Sequence, residues 1–345
     1  MQIESKGSLE VMLKRKSKIY IITLLSISIG VLIPTKSFSE SKLSTGIIKY
    51  KPKEDRKSIR GNLNCKGSTN VGALLKVWLP EFKKIYPSIE ISMDFKGSSD
   101  GIKSLMNGTA TVGAASRPIK QKEIDEFKIS KGYAPTEIKV SLDALGIYVN
   151  RLNKVQTITI EELDAIFSKD RKLGFNKNID TWKKLRKNSD DKKINIYLFD
   201  KNSGTRSFFR HRVMLKGTYD QTKIKNEEFT TTSQLLDALA NDENGIGFGS
   251  IGINNFKVKT LSIAKRVNYP THKPCIKEIK NGEYPLTRFF YIYLDVPPNQ
   301  PIPKMFYEFC KFLLSYEGQT IVTQVGGLAL SPQQIGTELS KMRRE

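Results

Sequence analysis

Four short turns that join small residues to hydroxyl side chains constrain this chain more than any other feature. They occupy residues 67–70, 97–101, 115–118 and 202–206. The first, second and fourth lie between a run typical of a strand and a run with helical spacing. A helix N-terminus presents unpaired N–H groups and about half a positive charge. Together the turns therefore predict a pocket for a small tetrahedral oxyanion.

The candidate ligands in these turns are hydroxyl and guanidinium groups. A buried dianion must be matched by donors, because an unpaired buried charge is very costly. Charge-assisted hydrogen bonds contribute roughly 1.5–3 kcal/mol each, so about eight to ten of them support micromolar binding after ordering costs. We expect the donors to be Ser68, Thr69, Ser98, Ser116, Ser203 and Thr205, with Arg117 and Arg206 as the charged groups.

Each turn also has an ordinary structural interpretation. Residues such as Ser68 and Ser203 cap helices in many proteins, whatever those proteins bind. Arg117, which precedes a proline, could pair with a surface acid. The joint occurrence of the four turns, rather than any one of them, favours the oxyanion pocket.

Strand-like and helix-like segments alternate along the chain from about residue 61, which predicts an α/β fold. They include a short helix over residues 101–107 and a helix that a capping box of Thr159 and Glu162 opens. Two long strands, over residues 140–150 and 289–294, bracket a middle segment. We therefore expect two lobes, each a mostly parallel sheet flanked by helices, joined by two hinge strands. The predicted boundaries are 61–145 plus 286–345 for lobe I and 146–285 for lobe II.

The first 39 residues have the pattern of a secretory signal peptide. Basic residues at 14–18 precede an apolar run over 19–33, and the small residues Ser37 and Ser39 follow. The run is short for a membrane span, although an uncleaved anchor and a start at Met12 remain alternatives. We expect cleavage after Ser39, export across the membrane, and a flexible basic lead-in over residues 40–60.

The chain is strongly basic, with a formal net charge of +22. Such a field draws anions toward a cleft, and it would also suit nucleic acid or acidic polymers. The lysines, however, are spread along the chain and are not gathered with aromatic residues into a stripe. We therefore expect no specific nucleic-acid partner.

The residues that usually mark metal, redox or catalytic sites are few. Cys65, Cys275 and Cys310 are widely spaced and form no C-x-x-C, so free thiols are favoured, although one pair could form a disulfide. His211 and His272 are the only histidines, and the sequence contains no metalloprotease or nucleophile-elbow motif. We expect no cofactor, no metal and no enzymatic activity.

Seven segments occur in an order that indicates a family. They are Gly67-Ser68-Thr69, Gly97-Ser98-Ser99-Asp100-Gly101-Ile102, Gly113-Ala114-Ala115-Ser116-Arg117-Pro118, Ser203-Gly204-Thr205-Arg206, Gly245-Ile246-Gly247-Phe248, Tyr284-Pro285-Leu286-Thr287-Arg288 and Glu317-Gly318-Gln319. Over about residues 62–335 the chain resembles the periplasmic phosphate-binding proteins of Pst-type ABC transporters. The resemblance implies a two-lobed type II periplasmic-binding-protein fold that binds inorganic phosphate as a monomer. It also implies delivery to an ABC permease in the membrane.

The resemblance also implies particular phosphate ligands. They are the Thr69 hydroxyl, the Asn70 N–H, Ser98, Ser203, Gly204 and Thr205. Two positions depart from the family pattern. Phe199 stands where many members have an arginine, for which Lys201, Arg206 or Arg117 is the possible substitute.

The second departure concerns the choice of oxyanion. Ser116 stands where many members have an aspartate that accepts the proton of hydrogen phosphate and so rejects sulfate. Asp100 is the candidate replacement. Because of the two departures, a PstS-like envelope protein with a sensing or surface-interaction role, or one that binds another oxyanion, remains an alternative.

Overall fold

The first part of the fold alternates parallel strands with helices. The computed structural model describes residues 46–297 and 300–342, so the predicted signal peptide lies outside the described residues. The elements here are β1 (Gly61–Gly67), α1 (Thr69–Ile85), β2 (Ile89–Asp94), α2 (Ser98–Met106), β3 (Val112–Ala115) and α3 (Gln121–Lys131). In α1 the apolar residues Val71, Leu75 and Trp78 are fully buried, as their helical spacing requires.

The middle part of the chain begins with a long strand and then repeats the same alternation. Its elements are β4 (Thr136–Asn150), β5 (Thr157–Thr159), α4 (Ile160–Phe167), α5 (Trp182–Leu185), β6 (Asn195–Phe199), α6 (Gly204–Val213), a 3-10 turn (Gln221–Lys223), β7 (Ile224–Phe229), α7 (Thr232–Leu239), β8 (Gly245–Ser250), β9 (Val258–Thr260), β10 (Ser262–Ala264), β11 (Thr271–His272) and α8 (Ile276–Lys280). Thr159 and Glu162 form the predicted capping box at the start of α4.

The last part of the chain packs against the first part. It comprises β12 (Thr287–Leu294), α9 (Lys304–Leu313), α10 (Tyr316–Gln324) and α11 (Pro332–Met342). Helix α10 packs on α1, where the Trp78 indole donates a hydrogen bond to the Gly318 carbonyl over 2.8 Å. None of the helices in the described residues is both long and apolar enough to cross a bilayer.

The main sheet has the strand order β2-β1-β3-β12-β4-β8-β6-β7. Strands β2, β1 and β3 are mutually parallel, as are β8, β6 and β7, while β12 and β4 run antiparallel between these two groups. We call the first group with its helices the first lobe and the second group with its helices the second lobe. The predicted α/β class and two-lobed fold are confirmed.

Strand β4 is shared by the two lobes. Residues Thr136 to Ala144 pair with β12, and residues Leu145 to Val149 pair with β8. The chain returns beside this point, because the Leu145 N–H donates to the Leu286 carbonyl over 2.9 Å. The two strands thus lie side by side where the chain passes between the lobes, whereas the exact lobe boundaries stay a prediction.

Several elements differ from the sequence prediction in their bounds. Helix α2 begins at Ser98 rather than at Gly101, and β4 begins four residues before Val140. The C-terminal helix α11 was not predicted, because its only buried apolar residues are Ile335 and Met342.

The residues that precede β1 contact the helices of the C-terminal part. The Tyr50 N–H donates to Glu317 Oε2 over 2.7 Å, and the Lys53 N–H donates to Glu308 Oε1 over 3.1 Å. The Tyr50 and Tyr86 hydroxyls also donate to the buried Glu308 carboxylate. Part of the predicted lead-in over 40–60 therefore packs on α9 and α10.

The three cysteines are free thiols, in agreement with the favoured interpretation. Cys65 and Cys310 are fully buried, while Cys275 is half-buried. Burial raises the pKa of the Cys310 thiol to about 12. Such a thiol stays protonated and unreactive at neutral pH.

Candidate anion-binding site

The N-termini of α1, α2 and α6 meet between the two lobes. Each of these helices follows the carboxyl end of a parallel strand, and such ends lie at one edge of a sheet. The Asn70 amide of α1 donates to Thr205 Oγ1 of α6 over 2.9 Å. A Cβ atom on Gly204 would lie only 2.1 Å from Ser98 Oγ of α2. Three positive helix ends are therefore gathered in one place.

The serines that cap α1 and α6 direct their lone pairs at backbone N–H groups. Ser203 Oγ accepts from the N–H groups of Thr205 and Arg206 over 3.2 and 3.4 Å, and Ser68 Oγ accepts from Val71 N–H over 3.5 Å. A hydroxyl has two lone pairs and one hydrogen. Because the Ser203 lone pairs are both occupied, its hydrogen is left to donate to an acceptor.

Thr205 is the central hydroxyl of the site. Its Oγ1 atom accepts from Asn70 Nδ2 over 2.9 Å and from Arg288 Nη2 over 3.1 Å. The residue is buried. Since both lone pairs are occupied by donors, the Thr205 hydroxyl also has only its hydrogen left to offer. A ligand rich in acceptor oxygens, such as an oxyanion, suits a group of this kind.

Helix α2 presents its N-terminus without a capping side chain. Its N-cap is Gly97, which makes no side-chain capping bond. Gly97 has φ 149° and lies against the second lobe, because a Cβ atom there would be 2.7 Å from the Asn202 carbonyl oxygen. Only glycine permits this backbone conformation and this approach. The first-turn N–H groups of α2 therefore remain available beside the second lobe.

Ser98 and Ser116 lie directly beneath the start of α6. Ser98 Oγ accepts from the Ser116 N–H over 3.1 Å, and the two Oγ atoms are 3.3 Å apart. Both residues are buried. A Cβ atom on Gly204 would lie 2.4 Å from Ser116 Oγ, so glycine is required here by the close packing of the lobes.

A buried ion pair between Asp143 of β4 and Arg288 of β12 borders the hydroxyl cluster. Arg288 Nε and Nη2 lie 2.8 and 2.7 Å from Asp143 Oδ2. Ser250 Oγ donates to the same oxygen over 2.9 Å and accepts from Arg288 Nη2 over 3.2 Å. Arg288 is only 3% exposed, and its Nη1 atom has no hydrogen-bond partner among the described residues.

Burial and pairing act in opposite directions on this ion pair. Burial raises the pKa of the Asp143 carboxyl, while Arg288 and Ser250 oppose that rise. Burial lowers the pKa of Arg288, and Asp143 opposes that change. A guanidinium stays protonated in proteins, so a cation paired with Asp143 lies next to Thr205.

Arg288 was not among the predicted ligands, although the segment that contains it contributed to the resemblance. In the sequence it stands as one basic residue in the run Thr287–Leu294, which is mostly apolar and aromatic. A charged residue inside a buried strand needs a partner. That requirement is the signal that could have identified it.

The two arginines that were predicted as charged ligands each have a carboxylate partner. Arg117 Nη2 lies 2.6 Å from Glu123 Oε1 and donates to Ser99 Oγ over 2.9 Å. Despite the opposing effect of burial, Arg117 holds the pKa of the Glu123 carboxyl below its ordinary value. Arg206 Nη2 lies 2.9 Å from Glu227 Oε2. Their positive charges are thus already balanced within each lobe.

The remaining predicted positions lie around the same centre. Thr69 Oγ1 donates to the Thr230 carbonyl of the second lobe over 3.0 Å. Asp100, in the first turn of α2, is half-buried, and its Oδ2 atom is buried without a hydrogen-bond partner among the described residues. Phe199 is buried against Phe248, while Lys201 is exposed, 3.7 Å from Glu227.

Comparison with known proteins identifies relatives over most of the chain. The family model described as a PBP superfamily domain matches residues 53–317. The phosphate-binding protein PstS of Pseudomonas aeruginosa is 33% identical over 274 residues, which are 79% of this chain and 84% of that protein. PstS of Staphylococcus saprophyticus is 29% identical over 286 residues, 82% of this chain and 84% of the relative.

Solved structures agree with this fold. The crystal structure of an ABC-type phosphate transport receptor from Vibrio cholerae aligns with a TM-score of 0.62 at 22% sequence identity, covering 79% of this chain and all of the receptor (100%). At that identity the likeness supports the architecture, whereas the ligand must be argued from the residues at the site.

Proposed function

The chain belongs to the PBP superfamily and is a PstS-like phosphate-binding protein, and on that premise we propose that it captures inorganic phosphate between its lobes and delivers it to an ABC permease. The ligand would lie among the N-termini of α1, α2 and α6. It would accept hydrogen bonds from the Asn70 N–H, Ser98, Ser203, Gly204 and Thr205 at those three positions. The Thr69 hydroxyl already donates to the Thr230 carbonyl, so it would join them only after giving up that bond. This arrangement requires no cofactor and no chemical step.

The observation that carries the proposal is the state of the Thr205 hydroxyl. Two donors, Asn70 Nδ2 and Arg288 Nη2, occupy its lone pairs, and Ser203 is saturated in the same way by N–H groups. Both hydroxyls must therefore donate outward. Donors from three directions, beside three positive helix ends, suit the tetrahedral oxygens of phosphate.

Arg288 supports the proposal through its charge. It reaches the site from the neighbouring β12 and places a guanidinium beside Thr205, whereas Phe199 offers none. Asp143 partly balances the charge of Arg288. A bound dianion would therefore be attracted less strongly than by an unpaired buried cation. The hydroxyls and backbone N–H groups would then supply most of the hydrogen bonds.

Selection of phosphate over sulfate would depend on a carboxylate acceptor. Asp143 Oδ2 already accepts from Arg288 and Ser250. Asp100 Oδ2, by contrast, is buried and unpaired among the described residues. We assign to Asp100 the acceptance of the hydrogen phosphate proton, which sulfate does not have at neutral pH.

The transport role also draws on the relatives and on the leader. The similar proteins are named as phosphate-binding or phosphate-transport proteins, which favours a binding function over an enzymatic one. The signal-peptide pattern over residues 1–39 favours export. The net charge of +22 would increase the rate at which phosphate reaches the site.

A substitution at Thr205 tests the proposal. Thr205→Val keeps the shape of the side chain and removes the hydroxyl, so we expect phosphate affinity to fall by about 10- to 100-fold, the equivalent of one charge-assisted hydrogen bond. The measurement is equilibrium dialysis with radiolabelled phosphate. Thr337→Val, at an exposed position in α11, is the matched control and should bind normally.

Two results would contradict the proposal. One is unchanged phosphate binding by Thr205→Val, which would place the ligand elsewhere. The other is a wild-type chain that binds no phosphate but retains an acidic polymer, which would favour the surface-interaction role.

A further inference from the structure

A cluster of potential metal ligands lies outside the anion site, between β11 and the segment that leads into β12. His272, Glu278 and Glu283 each place one ligand atom within 4.8 Å of the other two. His272 Nδ1 and Glu278 Oε2 are 3.0 Å apart. The two carboxylates are thus close together beside one imidazole, although they repel each other when both are charged.

The spacing of these atoms fits a metal ion. At metal–ligand bonds of about 2.1 Å, two ligands that meet at a right angle are roughly 3.0 Å apart, and two at a tetrahedral angle roughly 3.4 Å. His272 Nδ1 and Glu278 Oε2 form a hydrogen bond of 3.0 Å, which equals the right-angle value. A separation larger by about 0.4 Å would give the tetrahedral value, with the metal in place of the shared proton. Glu283 is exposed, so a change of its side-chain rotamer can bring its carboxylate to the same centre.

Backbone hydrogen bonds fix the positions from which the three side chains extend. His272 pairs with Ile263 of β10 in the small sheet. The N–H groups of Glu283 and Tyr284 both donate to the Glu278 carbonyl, over 2.9 and 3.1 Å. The two glutamates therefore belong to one closed turn that faces the histidine.

We propose that His272, Glu278 and Glu283 form a binding site for a divalent transition metal of the Zn²⁺ type. A neutral imidazole and two carboxylates balance the charge of the ion and relieve the repulsion between the glutamates. The imidazole favours Zn²⁺ over Mg²⁺ or Ca²⁺, which prefer oxygen ligands alone. Three protein ligands leave the fourth tetrahedral position to water.

The position of the site suggests what the metal would stabilise. Glu283 directly precedes Tyr284, whose buried hydroxyl donates to the Leu145 carbonyl over 2.8 Å, where β4 passes between the lobes. A bound metal would hold the turn that leads into β12. We therefore expect Zn²⁺ to raise the melting temperature of the chain without being needed for phosphate binding.

The histidine content permits a direct test. The chain contains only two histidines, His211 and His272, so a tag-free full-length sample gives two imidazole signals by NMR. In phosphate-free buffer, ZnCl₂ should shift the His272 signal to saturation at one equivalent and leave His211 unmoved. MgCl₂ should shift neither signal.

Variants identify the ligands by calorimetry with ZnCl₂. His272→Ala and Glu283→Gln should each weaken binding at least about tenfold, the scale found even for residues that only support a ligand. His211→Ala and Glu228→Gln, both at exposed positions, should bind normally. The proposal is overturned if ZnCl₂ shifts neither histidine signal. It is also overturned if ZnCl₂ shifts only the His211 signal. Normal binding by Glu283→Gln, or loss of binding only in Cys275→Ser, also overturns it.

Discussion

Arg288 shows how one residue can join two strands and a helix start at the candidate site. Its guanidinium comes from β12 and contacts both the Asp143 carboxylate and the Thr205 hydroxyl at the start of α6. Its partner Asp143 lies 145 positions earlier in the chain. The sequence shows a lone arginine in an apolar strand, but it does not show which carboxylate faces it.

The ion pair leads to a prediction about stability and pH. Arg288→Gln leaves Asp143 buried without its cation, and the loss of one partner of a buried pair costs about 3–5 kcal/mol at pH 8. Burial raises the pKa of the folded-state carboxyl above its unfolded value. The folded variant therefore binds more protons than the unfolded chain, and its stability rises as the pH falls.

Relative to wild type, Arg288→Gln should lose less unfolding free energy at pH 5 than at pH 8. Urea denaturation at the two pH values measures this deficit. The double variant Asp143→Asn/Arg288→Gln is the control, because it carries no buried charge at this pair. Its deficit should be smaller than that of Arg288→Gln at pH 8 and should not shrink at pH 5, because no buried carboxylate at this pair takes up a proton. Equal deficits for Arg288→Gln at the two pH values would contradict the assignment.

Among the secondary-structure elements, the starts of α1, α2 and α6 form the proposed site. Sequence patterns located all three turns, because Gly and Ser after a strand-like run strongly indicate a turn followed by a helix start. The pattern placed the start of α2 at Gly101, three residues late, since Gly97 and Ser98 looked like a loop. Which residues face each other across the lobes depends on tertiary packing, and local patterns carry no information about it.

The start of α6 gives a prediction about close approach. In Gly204→Ala the added methyl would meet Ser98 Oγ at 2.1 Å, so α6 must move away from α2. Several hydrogen bonds to the ligand would be lost together, and phosphate affinity should fall at least about 100-fold. Folding should change little, because alanine is favourable in a helix.

The matched control for this prediction is Gly336→Ala in α11, where a new Cβ atom would have nothing within 4 Å. Calorimetry should show normal phosphate binding in the control, and thermal denaturation should show that both variants fold. Normal affinity in Gly204→Ala would mean that the lobes need not approach this closely when the ligand binds.

At the scale of the whole molecule, the alternation of strands and helices and the two long strands were enough to predict a two-lobed α/β fold. The two lobes are joined through the long strand β4, whose first half pairs with β12 and whose second half pairs with β8. The small sheet of β11, β10 and β5 was not predicted, because strands of two or three residues leave no periodic pattern. His272, Glu278 and Glu283 were missed for a similar reason, since their spacing matches no known metal motif.

Hydrogen bonds join the two lobes directly, so the structure has a closed arrangement of the lobes. Thr69 donates to the Thr230 carbonyl, and Asn70 donates to Thr205. These bonds are few and polar, so they hold the lobes together weakly compared with a packed apolar core. We infer that a bound anion would strengthen the closed arrangement, since it would accept hydrogen bonds from both lobes at once.

Selection of phosphate by the two lobes can be measured by calorimetric titration of the chain from Glu40 onward. Phosphate and sulfate are titrated in parallel into wild type and Asp100→Asn. We predict micromolar binding of one phosphate per wild-type chain, with sulfate much weaker and the difference reduced in Asp100→Asn. Equal binding of both anions by wild type would contradict the role of Asp100, and binding of neither would contradict the claim itself.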